Sequence, residues 1–142
     1  MKYLFYFIFI GLFIAGCSKK DEAPAGKFEA YKMDLNAYQL DTCWEVNAPV
    51  QIKNFGVLQD GGNYSLNVSY SVDVTSADGK KAEGIFKDVF KNSTKDKPED
   101  AQLDVQFNLS NSYKAGKLIV TVNITDEISK SKSSITKPLT LE

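Results

Sequence analysis

The feature that most constrains the fold of this chain is an unbroken two-residue alternation between Tyr64 and Val74. Apolar side chains occupy every second position, and polar side chains, mostly serine, occupy the positions between them. Successive side chains of a β-strand point to opposite faces of the sheet, so the pattern predicts a strand with one face in the core and the other in water. A half-buried strand of this kind is typical of an antiparallel sheet.

Shorter alternating or apolar runs predict further strands, separated by turn residues. Asp60 to Asn63 and Ala77 to Lys80 contain glycine, asparagine and aspartate, which tolerate the backbone angles of tight turns. Residues 28–40 fit both a strand and a helical spacing, and we expect an irregular first strand there. The other predicted strands are 50–58 with a break near 54–56, 84–90, 103–109, 118–124 and 135–141, the last an edge strand because it contains Pro138.

This series of strands predicts an all-β domain, an antiparallel Ig-like β-sandwich of about seven strands. An eight-stranded barrel is the alternative. No segment of helical length and period lies between the strands, which argues against an α/β fold. The stretch from Tyr113 to Asp126, with the turn and closing strand after it, resembles the last hairpin of bacterial Ig-like and fibronectin type III-like domains.

The N-terminus has a different character. Lys2 precedes an apolar run from Tyr3 to Ile14, and the small residues Ala15 and Gly16 follow it. About twelve helical residues span roughly 18 Å, less than the hydrocarbon core of about 30 Å. A run of this length is typical of a signal peptide, with an ordinary secretory signal or a poor membrane anchor as the alternatives.

The string Ile14-Ala15-Gly16-Cys17 at the end of that run resembles the lipobox of bacterial lipoproteins. The resemblance implies that residues 1–16 are a cleaved lipoprotein signal peptide and that Cys17 carries the lipid, a diacylglycerol with a further acyl chain such as palmitate on the amine. Two or three chains anchor a protein stably, whereas one binds marginally.

Residues 17–27 are polar and without apolar period, and we expect them to form a lipidated tether ahead of a β-sandwich domain at 28–142. Ten extended residues reach at most about 35 Å. Lys20-Asp21-Glu22 resembles the surface-export signal of Bacteroidota lipoproteins. The resemblance implies an outer-membrane lipoprotein on the cell surface. The alternative is the periplasmic face, with these residues acting only as a solvated linker.

Composition excludes several chemistries. The chain contains no histidine and no arginine, and its formal net charge is −1. The absence of histidine excludes Ser-His-Asp triads, Cys-His pairs and histidine zinc sites. A near-neutral chain without arginine argues against nucleic-acid binding. We therefore predict no enzyme activity, no cofactor and no metal.

Three downstream features are candidate sites. Once Cys17 is lipidated, Cys43 is a lone thiol without a histidine to activate it. We expect a small, partly buried apolar side chain there, with intermolecular pairing as the alternative. Trp44, beside charged Glu45, is the aromatic residue expected at an exposed binding rim. Oxygen ligands for calcium would have to converge from acids such as Asp78, Asp126 and Glu127, but they lack the spacing of a calcium loop.

Together these observations predict a non-catalytic cell-envelope lipoprotein that acts as a protein-interaction or scaffold module. Its expected partners are the membrane, through the lipid on Cys17, and a protein of the envelope. The alternative is a surface glycan-binding lipoprotein, which clustered exposed aromatic residues would favour. A carboxylate-based enzyme would require two facing acids in a pocket, and the acids are scattered along the sequence.

Overall fold

The computed structural model describes the backbone of residues 20–22 and the whole of residues 24–142. The predicted signal peptide and Cys17 lie outside the described residues. In the described part, no helix is long and apolar enough to cross a membrane. The strands are β1 (Lys20–Glu22), β2 (Glu29–Met33), β3 (Asn36–Gln39), β4 (Cys43–Asn47), β5 (Val50–Lys53), β6 (Val57–Asp60), β7 (Asn63–Thr75), β8 (Lys81–Thr94), β9 (Asp100–Leu103), β10 (Gln106–Ser110), β11 (Gly116–Asp126) and β12 (Lys132–Leu141).

The larger layer is built on β7, the strand with the strongest alternation. β8 pairs along one edge of β7, while β11 and the short β6 share the other edge. β12 pairs with the far side of β11, and β1 pairs with β6. All of these pairings are antiparallel, as the half-buried pattern predicts.

The second layer consists of three chain segments that are each interrupted once. β5 lies between β2 and β9, and β4 lies between β3 and β10. At the interruptions the Asp34 N–H donates to the Pro49 carbonyl at 3.1 Å, and the Ala48 N–H donates to the Val105 carbonyl at 2.8 Å. These bonds join the two halves into one bent sheet.

Three interrupted strands in one layer and β8, β7, β11 and β12 in the other make seven long strands. The arrangement is that of an Ig-like β-sandwich, and the predicted fold class is confirmed. The irregular first strand is observed as β2 and β3, with a bulge between Ala30 and Lys32. The break near 54–56 divides the next predicted strand into β5 and β6.

A single apolar core fills the space between the layers. The predicted inward residues of β7 from Leu66 to Val74 are buried, and the serines between them lie on the outer face. Residues of β11 and of the second layer complete this core. Phe86 on β8 and Phe107 on β10 stack with ring centroids 6.4 Å apart, which joins the layers along one side of the sandwich.

The sandwich has two ends. The proximal end comprises residues 24–28 and the loops 54–56, 95–99 and 127–131. The distal end comprises the loops 40–42, 76–80 and 111–115 together with Glu142. Strand pairing shows which residues share an end. Lys53 pairs with both Glu29 and Asp100, which places the end of β5 beside the starts of β2 and β9. Gly116 pairs with Leu141, which places the start of β11 beside the end of β12. The chain therefore enters the sandwich at one end, and its last strand finishes at the other.

Candidate functional site

Lys20, Asp21 and Glu22, the predicted export signal, lie in β1. They pair in antiparallel register with Gln59, Leu58 and Val57 of β6 at the proximal end. The backbone of this part of the predicted tether 17–27 therefore forms an added edge strand of the larger layer. The physical reason is that an uncovered strand edge presents unpaired N–H and C=O groups, which a nearby extended segment can satisfy.

Trp44 does not lie at an exposed rim, and this expectation is corrected. Only 4% of its surface is exposed, and its indole N–H donates to the Tyr113 carbonyl at 3.1 Å. Trp44 shares the inner face of β4 with Val46, as the two-residue period of a strand requires. The alternation of Trp44, Val46 and Ala48 is the sequence signal that indicates this burial. Cys43, on the opposite face, is a free and partly buried thiol.

The acids considered for calcium are distributed between the two ends. Asp126 at the proximal end is fully buried. Asp126 pairs with Val68 at the start of the β7–β11 pairing, and Asp78 lies beyond Thr75 at its other end. Seven residues of extended strand separate Val68 from Thr75, a distance of about 24 Å. Within residues 20–22 and 24–142, no group of three acids and cysteines is placed to hold a metal ion.

The Asp126 carboxylate instead holds the proximal loops together. It accepts hydrogen bonds from the Gly56 N–H at 2.6 Å, from the Ile128 N–H at 3.0 Å and from the Ser129 hydroxyl. A Cβ atom at Gly56 would lie 3.0 Å from the Ile128 side chain, so a larger residue would have to displace that side chain. These donors explain how a carboxylate is accommodated in the core.

Asp73 is the second buried carboxylate, and it fixes the start of β8. It accepts from the Gly84 N–H at 2.8 Å and the Asn123 amide at 3.0 Å, and Lys81 Nζ lies 3.3 Å away. Burial acts to raise the pKa of Asp73, but these donors outweigh it and hold the pKa below its ordinary value. Gly84 has a φ of 59°, which permits the register shift between β7 and β8 at this point.

The distal end carries a groove of about 630 Å³, which we call the distal groove. It lies between the loop 76–80 with the start of β8 and the segment from Ser112 to Leu118. Its charged lining residues are Asp78, Lys80, Lys81, Lys114 and Lys117, so four lysines face one aspartate. The excess of positive charge is local, because the chain as a whole has a net charge of −1.

Two of these lysines are paired with acids. Lys80 Nζ lies 3.4 Å from Asp78, and Lys81 Nζ lies 2.7 Å from Glu83 as well as near Asp73. The Lys80 backbone N–H and ammonium lower the pKa of Asp78, and the two carboxylates raise the pKa of Lys81. Lys114 and Lys117 are exposed and make no ion pair or side-chain hydrogen bond with any residue that the structure describes.

The proximal end carries a second groove, of about 610 Å³, next to the entry of the chain. Tyr31, Lys53 and Phe55 are among its lining residues. Lys53 Nζ lies 5.0 Å from the centre of the Tyr31 ring and 3.1 Å from Glu29, so this lysine is already engaged. Tyr31 and Tyr38 are the exposed aromatic side chains of the first strand segment, with 40% and 57% of their surfaces exposed.

Sequence reasoning did not find the distal groove. Its lysines belong to two loops that are far apart in the sequence, and only the pairing of β7 with β11 brings them together. The available signal was the local excess of lysine after Asp78 and after Tyr113, without a pattern that joins the two segments.

No protein-family model matches the chain, and no curated protein matches it. Among solved structures, it is similar to a β-glucuronidase from glycoside hydrolase family 2, with a TM-score of 0.52 and 10% sequence identity. The likeness covers 80% of this chain and 12% of the β-glucuronidase chain. At this identity the likeness shows only that the two proteins share a sandwich fold. The matching region is a small part of the much longer β-glucuronidase chain.

Proposed function

We propose that the chain is a lipid-anchored protein of the cell envelope whose sandwich is a non-catalytic protein-interaction module. The observation that carries this proposal is that the two ends of the sandwich differ. The chain enters the sandwich at the proximal end, whereas the distal end carries loops, uncompensated lysines and the end of the last strand. A lipid on Cys17 would hold the proximal end near the membrane and present the distal end to partners.

The buried acids support a structural role for the interior. Asp73 and Asp126 are each occupied by hydrogen-bond donors of neighbouring loops, and they lie in different parts of the sandwich. A carboxylate pair for hydrolysis needs two groups within about 5–10 Å across a cleft. Both side chains therefore hold neighbouring segments of the backbone together through hydrogen bonds.

The membrane attachment rests on the resemblance of Ile14 to Cys17 to a lipobox. In this proposal, peptidase cleavage before Cys17 yields an outer-membrane lipoprotein, and Lys20-Asp21-Glu22 directs it to the cell surface, as in Bacteroidota lipoproteins. Pairing of β1 with β6 would leave Ser18 and Lys19 between the lipid and the first strand, which keeps the sandwich next to the membrane.

A glycan-binding surface lipoprotein is the second candidate, and the exposed rings of Tyr31 and Tyr38 favour it. They lie seven residues apart along the interrupted first segment, at most about 23 Å if that segment were fully extended. A glycan that stacks on both rings would therefore have to reach along this whole segment.

Site-specific photo-crosslinking in intact cells tests the proposed function. The photoreactive amino acid benzoylphenylalanine replaces exposed Asn111 at the distal end or exposed Lys95 at the proximal end. We expect a discrete crosslinked protein from position 111 and weaker or no crosslinking from position 95. Absence of a crosslinked protein from both ends would overturn the interaction module.

The anchor is tested separately with Cys17→Ala. We expect this variant to accumulate as an unprocessed precursor that takes up no labelled fatty acid. Normal maturation and labelling of the variant would contradict the lipid attachment, whatever the crosslinking shows.

A further inference from the structure

The distal groove has a free strand edge as well as a positive charge. β11 begins at Gly116, but β7 ends at Thr75, which pairs with Ile119. From Gly116 to Leu118, β11 therefore pairs with β12 on one side, and no strand of the described residues pairs with it on the other side. These three residues line the groove.

A free edge of this kind can accept an extended peptide through main-chain hydrogen bonds. The residues around it permit a close approach, because Ala77, Ala82, Ala115 and Gly116 line the same groove with small side chains. Tyr113 is not available as a stacking platform of the kind that sugars use, since its side chain is partly buried and its carbonyl is bound to Trp44.

The charges indicate which peptide fits. Lys114 and Lys117 have no acidic partner among the described residues, and Lys80 is engaged only by the exposed Asp78. A partner with carboxylates would neutralise two free ammonium groups and compete with Asp78 for a third. Charge complementarity of this type favours a specific partner and speeds its encounter.

We propose that the distal groove binds an extended acidic peptide segment of a partner protein. The peptide backbone adds to β11 at Gly116–Leu118, and its carboxylates pair with Lys114 and Lys117. This inference rests on the proposed function as an interaction module and names the partner chemistry that its distal end recognises.

The test uses the full chain purified in detergent and a fluorescein-labelled Val-Glu-Val-Glu-Val-Glu peptide, followed by fluorescence anisotropy at low salt. In an extended conformation all three glutamates of the peptide lie on one side. We expect saturable binding that Lys114→Gln/Lys117→Gln weakens about tenfold. Both side chains are exposed, so an unchanged urea midpoint verifies that this variant is folded.

The matched control is Lys91→Gln/Lys95→Gln, which removes the same charge from exposed positions near the proximal end. We expect this control to bind as the unmodified protein does. Equal weakening by the two double variants would show general charge attraction and would overturn the groove as the site. Unchanged binding by Lys114→Gln/Lys117→Gln would overturn it as well.

Asp78→Asn supplies a variant with the opposite effect. Its amide oxygen can still accept the Lys80 N–H, which donates to Asp78 at 3.2 Å, while the competing charge is removed. We expect severalfold tighter binding. Weaker binding would contradict the proposed competition and the groove with it.

The nature of the occupant is tested by two further probes. A peptide that is N-methylated at alternate residues, prepared in both registers, should lose binding in one register because strand addition needs its N–H groups. Equal binding of both would overturn strand addition. Binding of polygalacturonate in place of the peptide, or self-association of the chain through the groove, would overturn the acidic-peptide partner.

The crosslinking result separates this inference from the proposed function. If position 111 crosslinks a protein equally well in the Lys114→Gln/Lys117→Gln background, the interaction module stands and the groove is not its site. If no position crosslinks a protein, the proposed function itself fails.

Discussion

The two buried acids, Asp73 and Asp126, hold neighbouring segments of the sandwich together. Asp126 joins the turn between β11 and β12 to the loop 54–56, and Asp73 joins the start of β8 to β7 and β11. Both acids are surrounded by donors, so replacing either leaves buried N–H groups unpaired. An unpaired buried donor costs more than the net contribution of its hydrogen bond.

Asp126→Ala should lower the free energy of unfolding by about 3 kcal/mol, because it leaves the Gly56 and Ile128 N–H groups and the Ser129 hydroxyl without their acceptor. Urea denaturation followed by tryptophan fluorescence measures the change, since Trp44 lies in the core. Asp41→Ala, at an exposed position, should stay within about 0.5 kcal/mol of the unmodified protein. Equal midpoints for the two variants would contradict the fastening role.

Asp73 should make stability depend on pH. Its folded pKa is lowered, so the unfolded state binds more protons as the pH falls toward and below the ordinary carboxyl value. The stabilisation is complete above the unfolded pKa of about 3.9 and is lost as the pH drops through the folded pKa. Asp73→Asn should therefore flatten the stability curve below about pH 5. Parallel curves for the variant and the unmodified protein would exclude this contribution.

Among the strands, β7 and β11 are the clearest in the sequence because their inner residues are apolar from Tyr64 to Val74 and from Leu118 to Ile124. β8 was predicted only at 84–90 but extends over Lys81–Thr94. It lies at the edge of the larger layer, where inward positions such as Asp88 and Asn92 are exposed and need not be apolar. The periodicity of an edge strand is therefore weaker, and sequence patterns underestimate its length.

The outer edge of β8 is also partly closed by its own side chains. Asp88 Oδ1 accepts the Val89 N–H at 2.7 Å, and Asn92 Oδ1 accepts the Ser93 N–H at 2.8 Å. These bonds occupy donors that an exposed edge would otherwise offer to another chain, and charged residues such as Lys87 and Lys91 lie on the same strand. Exposed edges without such features promote aggregation.

Asp88→Ala/Asn92→Ala should increase self-association, because it frees two edge N–H groups beside the exposed Val89. Sedimentation velocity over a range of protein concentrations should show a dimer or larger species that the unmodified protein lacks. Asp96→Ala/Asn111→Ala, at exposed loop positions, is the control and should remain monomeric at the same concentrations. A monomeric edge variant would show that these side chains do not protect β8.

For the whole molecule, the sequence indicated the layers but not the surfaces that they create. Strand periodicity follows from local chemistry, whereas the distal groove depends on where β7 stops relative to β11. The alternation in β4 could have predicted the burial of Trp44. No sequence pattern predicts the pairing of β1 with β6. It depends on a free edge that only the assembled sheet presents.

The placement of the whole molecule is tested through Lys20, Asp21 and Glu22. Replacing all three by alanine removes the charges of the proposed export signal and keeps every backbone N–H that β1 needs to pair with β6. Folding and fatty-acid labelling should therefore be unchanged, which urea denaturation and metabolic labelling verify. We expect the fraction that protease added to whole cells can cleave to fall. Equal cleavage of both proteins would reduce the motif to a linker that pairs with β6. Complete protection of both would place the sandwich on the periplasmic side, and its partner would then have to be a periplasmic protein.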